Sequence, residues 1–250
     1  AVAALAASVP PMTGLTASPM ATLPAPPVAT SQPTWTSTLA TISTTATTTA
    51  MEPASTSEPA TATAPRILIL GDSLSAAYGI DQNDGWVSLL EQRLRAKGLA
   101  YRVVNASISG ETTAGGRARL ARLLAEHRPS LVLLELGAND GLRGFAFGGL
   151  RDNLTTMIRE ARAAGSQVLL AGLRLPPNYG AAYTDGFQAV FREVTHAEQV
   201  PLIPDFLAGI PEDRALMQAD DLHPNTAAQP LILENVWPGL EPLLSGTRVP

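Results

Sequence analysis

Between Arg66 and Pro204 the chain passes through five short apolar runs, each closed by a polar turn and separated from the next by residues of helical period. The runs are Arg66-Ile-Leu-Ile-Leu70, Tyr101-Arg-Val-Val-Asn105, Leu131-Val-Leu-Leu-Glu-Leu-Gly137, Gln167-Val-Leu-Leu-Ala-Gly172 and Pro201-Leu-Ile-Pro204. Short runs of branched residues bounded by Gly, Asn or Pro read as strands. Between them, Trp86, Leu89, Leu90 and Leu94 fall at helical spacing and stop at Gly98. Further helices are expected over about 112–126, 149–164 and 184–199, and a last one over 228–244, bent near Pro238. Strand–helix alternation predicts an α/β fold with a parallel sheet and right-handed crossovers. Five strands favour a flavodoxin-like three-layer sandwich with strand order 2-1-3-4-5.

The residues before this pattern differ in kind. From Ala1 to about Ala64 the chain is rich in Ala, Thr, Ser and Pro, with Glu52 and Glu58 as its only charges. Segments such as Ser43-Thr-Thr-Ala-Thr-Thr-Thr-Ala50 have no apolar period and too little large apolar surface to offset the entropy of ordering. Residues 1–64 are therefore expected to be disordered, and residues 65–250 to form one domain around one core. A secretory signal is not visible: Ala1-Val-Ala-Ala-Leu-Ala-Ala7 lacks a basic flank and a starting Met. The region fits equally a remnant of an exported leader, an extracellular linker or a gene-start extension.

The net charge of −5 comes without a basic run, so nothing points to nucleic acid. No apolar stretch is long enough to span a bilayer. Absence of cysteine excludes a disulfide scaffold and a cysteine nucleophile.

In the order 2-1-3 the turns after strands one, two and three share one rim, bringing together Asp72-Ser73, Ser109-Gly110 and Asn139-Asp140. Open α/β sheets hold their ligands at that rim. Ser73 alone reads as readily as a helix cap. Activating its hydroxyl requires a base. Of the three histidines, His127 sits at a helix end and looks solvated, and His196 lies within a helix away from any polar cluster. His223 lies in a loop before Pro224, with Asp220 three residues upstream, a spacing that lets a carboxylate hold one ring nitrogen while the other faces Ser73. The plainer reading is an Asp that shapes a loop. The N–H groups of Ser73 and Gly110 and the amide of Asn139 are candidate donors for an oxyanion. Gly110 and Asn139 also suit ordinary turns.

Taken in order, Gly71-Asp-Ser-Leu74, the glycine of Asn105-Ala-Ser-Ile-Ser-Gly110, Gly137-Ala-Asn-Asp140 and Asp220-Asp-Leu-His223 resemble the four blocks of the SGNH (GDSL) hydrolases. The words around them, including Arg174-Leu-Pro-Pro-Asn-Tyr-Gly180, resemble the bacterial thioesterase I / lysophospholipase / arylesterase branch. The resemblance covers about Ala64 to Leu244. It implies Ser73 as nucleophile, His223 as base, Asp220 as its orienter, and Ser73, Gly110 and Asn139 as oxyanion hole. It also implies a periplasmic or secreted monomer acting on small-molecule acyl esters or thioesters, without cofactor or metal. Asp221 departs from the branch, which often has glycine there, and leaves two carboxylates beside the base; the spacing favours Asp220.

The expected function is thus a serine esterase working through an acyl-enzyme on Ser73. The G-x-S-x-G elbow is absent, because Ser75 stands where its second glycine would be. Leu175, Tyr179 and Tyr183, in the proline-stiffened stretch after strand four, are expected to offer apolar surface to the acyl chain. Rival readings are a carbohydrate O-deacetylase on the same fold, a non-catalytic flavodoxin-like binding domain, and an adhesion protein whose low-complexity region is the working part.

Overall fold

The computed structural model describes residues 64–244. The disorder expected for the N-terminal region falls on residues 1–63, which lie outside the described residues. Five parallel strands, β1 (Arg66–Gly71), β2 (Arg102–Asn105), β3 (Leu131–Glu135), β4 (Gln167–Ala171) and β5 (Leu202–Ile203), form one sheet in the order β2-β1-β3-β4-β5. The central strands are apolar without alternation because both faces of the sheet are covered. Ile67 to Leu70 and Val132 to Leu134 are fully buried. Edge strand β2 is only partly buried, in keeping with its more polar sequence.

The helices are α1 (Trp86–Ala96), α2 (Thr113–His127), α3 (Ala138–Leu142), α4 (Phe147–Ala163), α5 (Ala181–Glu198) and α6 (Gln229–Leu240). α1 packs on α6, while α2, α4 and α5 pack side by side. These two groups are the outer layers of the expected sandwich. Gly85 caps α1 without a side-chain acceptor. Buried Gln229 supplies one from α6, its Oε1 accepting from the N–H of Trp86 at 3.0 Å. One long-range hydrogen bond thus finishes a helix end that the local sequence leaves open.

Three local expectations shift. Asn139 does not lie in a plain turn but in the short helix α3, entered through Gly137 at φ +125°. α5 begins at Ala181 rather than 184, because Gly180, at φ +87°, turns the chain out of a 3₁₀ turn at Pro177–Tyr179. α6 accommodates Pro238 in its last turn and passes into a 3₁₀ turn at Glu241–Leu243. Among the described residues, no helix is long and apolar enough to cross a membrane.

Candidate active site

The sheet order puts the ends of β1 and β3 side by side at the switch point of the fold. β1 ends at Gly71, and the chain turns at once. An added Cβ at Gly71 would stand 2.6 Å from Glu135 Oε2 and 2.8 Å from Ser75 Oγ, so any other residue there would displace the Glu135–Ser75 pair. Asp72 Oδ1 accepts from the N–H of Leu74 at 3.0 Å, which holds the turn and presents Ser73.

The loop bearing His223 is closed by an antiparallel bridge between Met217 and Pro224. Gln218 braces it: its N–H donates to the His223 carbonyl at 2.7 Å, and its Nε2 donates to the carbonyls of Pro224 (3.0 Å) and Tyr78 (2.8 Å). The last bond ties the histidine loop to the chain just beyond Ser73. His223 Nε2 consequently stands 2.9 Å from Ser73 Oγ. On its other side, His223 Nδ1 stands 2.6 Å from Asp220 Oδ2. A carboxylate there fixes the proton on Nδ1 and leaves Nε2 to accept from Ser73.

Of the two neighbouring aspartates, Asp220 is the one that meets the ring. Its Oδ1 also accepts from the N–H groups of Leu222 and His223, each at 3.0 Å. Desolvation pushes its pKa up, but these hydrogen bonds and the nearby imidazole outweigh that and hold it at about 2. Asp221 points elsewhere, accepting two bonds from Arg214 Nη2 at 2.9 and 2.8 Å.

Gly110, at φ +79°, brings the loop after β2 to the same rim. Asn139 arrives from α3, its Nδ2 donating to Asp72 Oδ2 at 3.0 Å. Asp72 therefore orients two parts of the site, the Ser73 turn and the Asn139 amide. Burial raises its pKa from the usual 3.8 to about 6, against the N–H of Leu74, the Asn139 amide and the imidazole, which lower it; Asp140 adds to the rise. Asp140 in turn anchors the start of α2, accepting from the Thr113 N–H at 2.8 Å and hydroxyl at 2.5 Å.

Glu135, at the end of β3, is a further acid that the sequence reading passed over. It is fully buried, and its Oε2 accepts from Ser75 Oγ at 2.7 Å and from the Asp72 N–H at 3.3 Å. Burial, and then the Asp72 charge, push its pKa well above the ordinary glutamate value. A glutamate inside the otherwise apolar run 131–136 was the available signal, since unpaired acids are almost never fully buried. Tyr78 is the other residue missed; its ring lies over the His223 ring, centroids 4.5 Å apart.

A cavity of about 900 Å³ opens beside Ser73, with Leu74, Leu142, Leu175, Pro176 and Pro177 among its walls. Of the three residues expected to hold an acyl chain, only Leu175 is in that wall. Tyr179 and Tyr183 lie outside that wall, and their hydroxyls donate to the backbone carbonyls of Leu142 (3.1 Å) and Gly141 (2.9 Å), so both clamp α3. A tyrosine beside exposed helix-end carbonyls satisfies them with its O–H while its ring packs. Among the described residues, no group of three or more His, Cys, Asp or Glu could hold a metal ion.

A strand-end serine within reach of a loop histidine that is held by its carboxylate is the arrangement of a serine hydrolase site on a doubly wound sheet. The chain belongs to the GDSL-like lipase/acylhydrolase family, whose model matches residues 69–230. It is 55% identical over 183 residues to the esterase TesA of Pseudomonas aeruginosa, covering 73% of this chain and 91% of that protein. It is 42% identical over 184 residues to thioesterase 1/protease 1/lysophospholipase L1 of Escherichia coli K12, covering 74% and 87%. Among solved structures, the psychrotrophic esterase EstA of a Pseudoalteromonas species, inhibited by monoethylphosphonate, superposes with a TM-score of 0.69. It shares 42% identity, covering 72% of this chain and 99% of that one. The chain is accordingly an ester hydrolase of the GDSL type.

Proposed function

We propose that this hydrolase cleaves acyl esters and thioesters in two steps through an acyl-enzyme on Ser73. The observation that carries the proposal is the relay from Ser73 Oγ to His223 Nε2 (2.9 Å) and from Nδ1 to Asp220 (2.6 Å). Ser73 Oγ attacks the acyl carbon as His223 Nε2 takes its proton. The resulting oxyanion accepts from the N–H groups of Ser73 and Gly110 and from Asn139 Nδ2, each donor being worth about 2.7–4 kcal/mol in the transition state. His223 then passes the proton to the leaving alcohol or thiol. Water, deprotonated by the same nitrogen, attacks the acyl-enzyme, and collapse returns Ser73 and releases the acid. Asp220 stays ionised throughout, as a pKa of about 2 requires.

Leu175, Leu142, Pro176 and Pro177 support an acyl-chain site next to the oxyanion donors. The names of the relatives, esterase, arylesterase and thioesterase/lysophospholipase, set the substrates to assay first. We place the enzyme in the periplasm or outside the cell, as a monomer working without cofactor.

Turnover of p-nitrophenyl butyrate, its loss in Ser73→Ala, and the mass of a phosphonyl group on Ser73 after treatment with a phosphonate ester test this reading. Phosphonylation elsewhere, with activity kept in the variant, would overturn it.

A further inference from the structure

Six large apolar side chains are strongly exposed among the described residues, and five of them sit on the loops that carry the site. Tyr78 follows β1, Ile108 follows β2, Phe145 follows α3, Tyr179 follows β4, and Leu222 immediately precedes His223. Each is 36–51% exposed. Each is also tied to a catalytic element. The Tyr78 ring lies over His223, the Ile108 N–H donates to the Gly71 carbonyl at 3.1 Å, and the Phe145 N–H donates to that of Asp140 at 3.0 Å. Tyr179 clamps Leu142. Leu231, on α6, is the sixth and stands apart. Single exposed apolar residues are ordinary. Tyr78 and Leu222 line the cavity, and Ile108, Phe145 and Tyr179 stand outside its wall on neighbouring segments tied to the site; exposed apolar residues gathered around one site mark an interaction surface.

We infer that this rim seats the enzyme on the surface of a zwitterionic lipid aggregate, from which a single-chain acyl ester passes into the cavity. The inference rests on the esterase reading above and names how that site meets its substrate. The position of the rim argues for a lipid surface over a protein partner, because a partner bound across it would seal the cavity, whereas a lipid surface delivers the ester. Two of the five residues are tyrosines, whose rings enter the headgroup layer while their hydroxyls stay hydrated or hydrogen-bonded.

Charge selects the kind of surface. The arginines at the rim are already engaged: Arg143 donates to the Gly110 carbonyl at 2.9 Å, Arg174 pairs with Asp205 at 2.8 Å and Glu212 at 4.0 Å, and Arg214 pairs with Asp221. Asp185 is a further acid in the cavity wall. Binding to anionic membranes depends on clustered basic residues, about 1 kcal/mol each; here three arginines stand among the acids Asp185, Asp205, Glu212 and Asp221, so the rim carries no net positive charge. It therefore fits a surface of phosphocholine type, held by apolar contact.

Flotation of the full chain as Ser73→Ala with phosphatidylcholine vesicles tests docking without hydrolysis. In the active enzyme, the double substitution Ile108→Ser, Phe145→Ser removes two side chains that are not in the cavity wall. Its kcat/KM on dissolved p-nitrophenyl butyrate should stay within about twofold, while hydrolysis of lysophosphatidylcholine above its critical micelle concentration and vesicle binding should each fall about tenfold. A second variant, Ile108→Trp, should tighten vesicle binding by about the same factor with the soluble rate kept. The inference is overturned if the chain ignores phosphatidylcholine vesicles, binds only anionic ones, binds only after residues 1–63 are removed, or self-associates through these residues instead. Equal losses on dissolved and micellar ester would overturn it too. Failure of the underlying esterase reading would show separately, as an unmodified enzyme inactive on dissolved ester.

Discussion

Replacing Asp220 with Asn separates the two aspartates beside the base. In the native loop, Asp220 Oδ1 is committed to the N–H groups of Leu222 and His223, each at 3.0 Å, and Oδ2 faces His223 Nδ1 at 2.6 Å. An asparagine must give its single carbonyl oxygen to the two backbone donors. Its NH₂ then takes the place of Oδ2 and faces the ring as a donor. Imidazole can accept that bond only by moving its proton to Nε2, which then donates to Ser73 Oγ where it should accept. The wrong tautomer costs up to ~10⁴ in kcat in a serine protease, about 5 kcal/mol of barrier. Asp221→Asn should be far milder. It breaks an exposed pair with Arg214, worth about 0–1 kcal/mol, and Asn tolerates the left-handed backbone at that position, φ +51°. Steady-state kcat on p-nitrophenyl butyrate, with Ser73→Ala as the floor, reads both. A rate within about tenfold of native for Asp220→Asn, or a steep loss for Asp221→Asn, would refute the assignment.

Other outcomes follow from the same geometry. Asp72 has a folded pKa of about 6 against the usual 3.8, so the folded state binds its proton more tightly than the unfolded chain. Its contribution to stability is present below the ordinary carboxylate range and is lost as pH rises through about 6. The melting temperature should therefore rise as pH falls from 7 towards 4, and Asp72→Asn should flatten that rise; Glu135, shifted in the same direction, should behave likewise in Glu135→Gln. Below pH 4 the depressed pKa of Asp220 should reverse the trend as its hydrogen bonds are lost. A melting temperature that falls steadily from pH 7 to 4 would contradict this. Leu175→Ala should lower kcat/KM about tenfold for octanoyl esters while sparing acetyl esters, given about 0.8 kcal/mol per buried methylene; equal losses would assign Leu175 to the fold alone. Tyr183→Phe removes the donor to Gly141 and, through the helix bearing Asn139, should reduce kcat about fivefold at constant KM. A change in KM alone would place the tyrosine at the substrate instead.

The layers of the fold were legible because each element states its own type. Ile67 to Leu70 is too short and too uniformly apolar for an exposed helix, and the spacing of Trp86, Leu90 and Leu94 cannot serve a strand. Strand order then followed from general preference, and convergence of the turns bearing Ser73, Gly110 and Asn139 followed from strand order, while His223 was reached through its loop before Pro224 and its spacing from Asp220. Distant contacts were not legible. Tyr179 and Tyr183 read as acyl-chain surface because nothing local shows that their hydroxyls meet carbonyls 37 and 42 residues earlier. The same holds for Gln218, whose bond to the Tyr78 carbonyl spans 140 residues and holds two catalytic loops together.

Glu135 joins these two kinds of information. A carboxyl in the floor of the site is costly to bury, and its Oε1 has no hydrogen-bond partner among the described residues. What it does is local: it receives the Ser75 hydroxyl and the Asp72 N–H, the two groups that flank Ser73 along the chain. Asp72, held in that way, accepts from and orients the Asn139 amide. The glutamate also accounts for Gly71, since its oxygen stands where a side chain at that position would have to go. The first glycine of the Gly71-Asp-Ser-Leu74 block is thus favoured by a residue more than sixty positions away. A leucine at 135 would relieve the buried acid but leave Ser75 and the Asp72 amide without an acceptor. The site therefore retains an acid that favours precise placement of Ser73 over stability of the sheet beneath it.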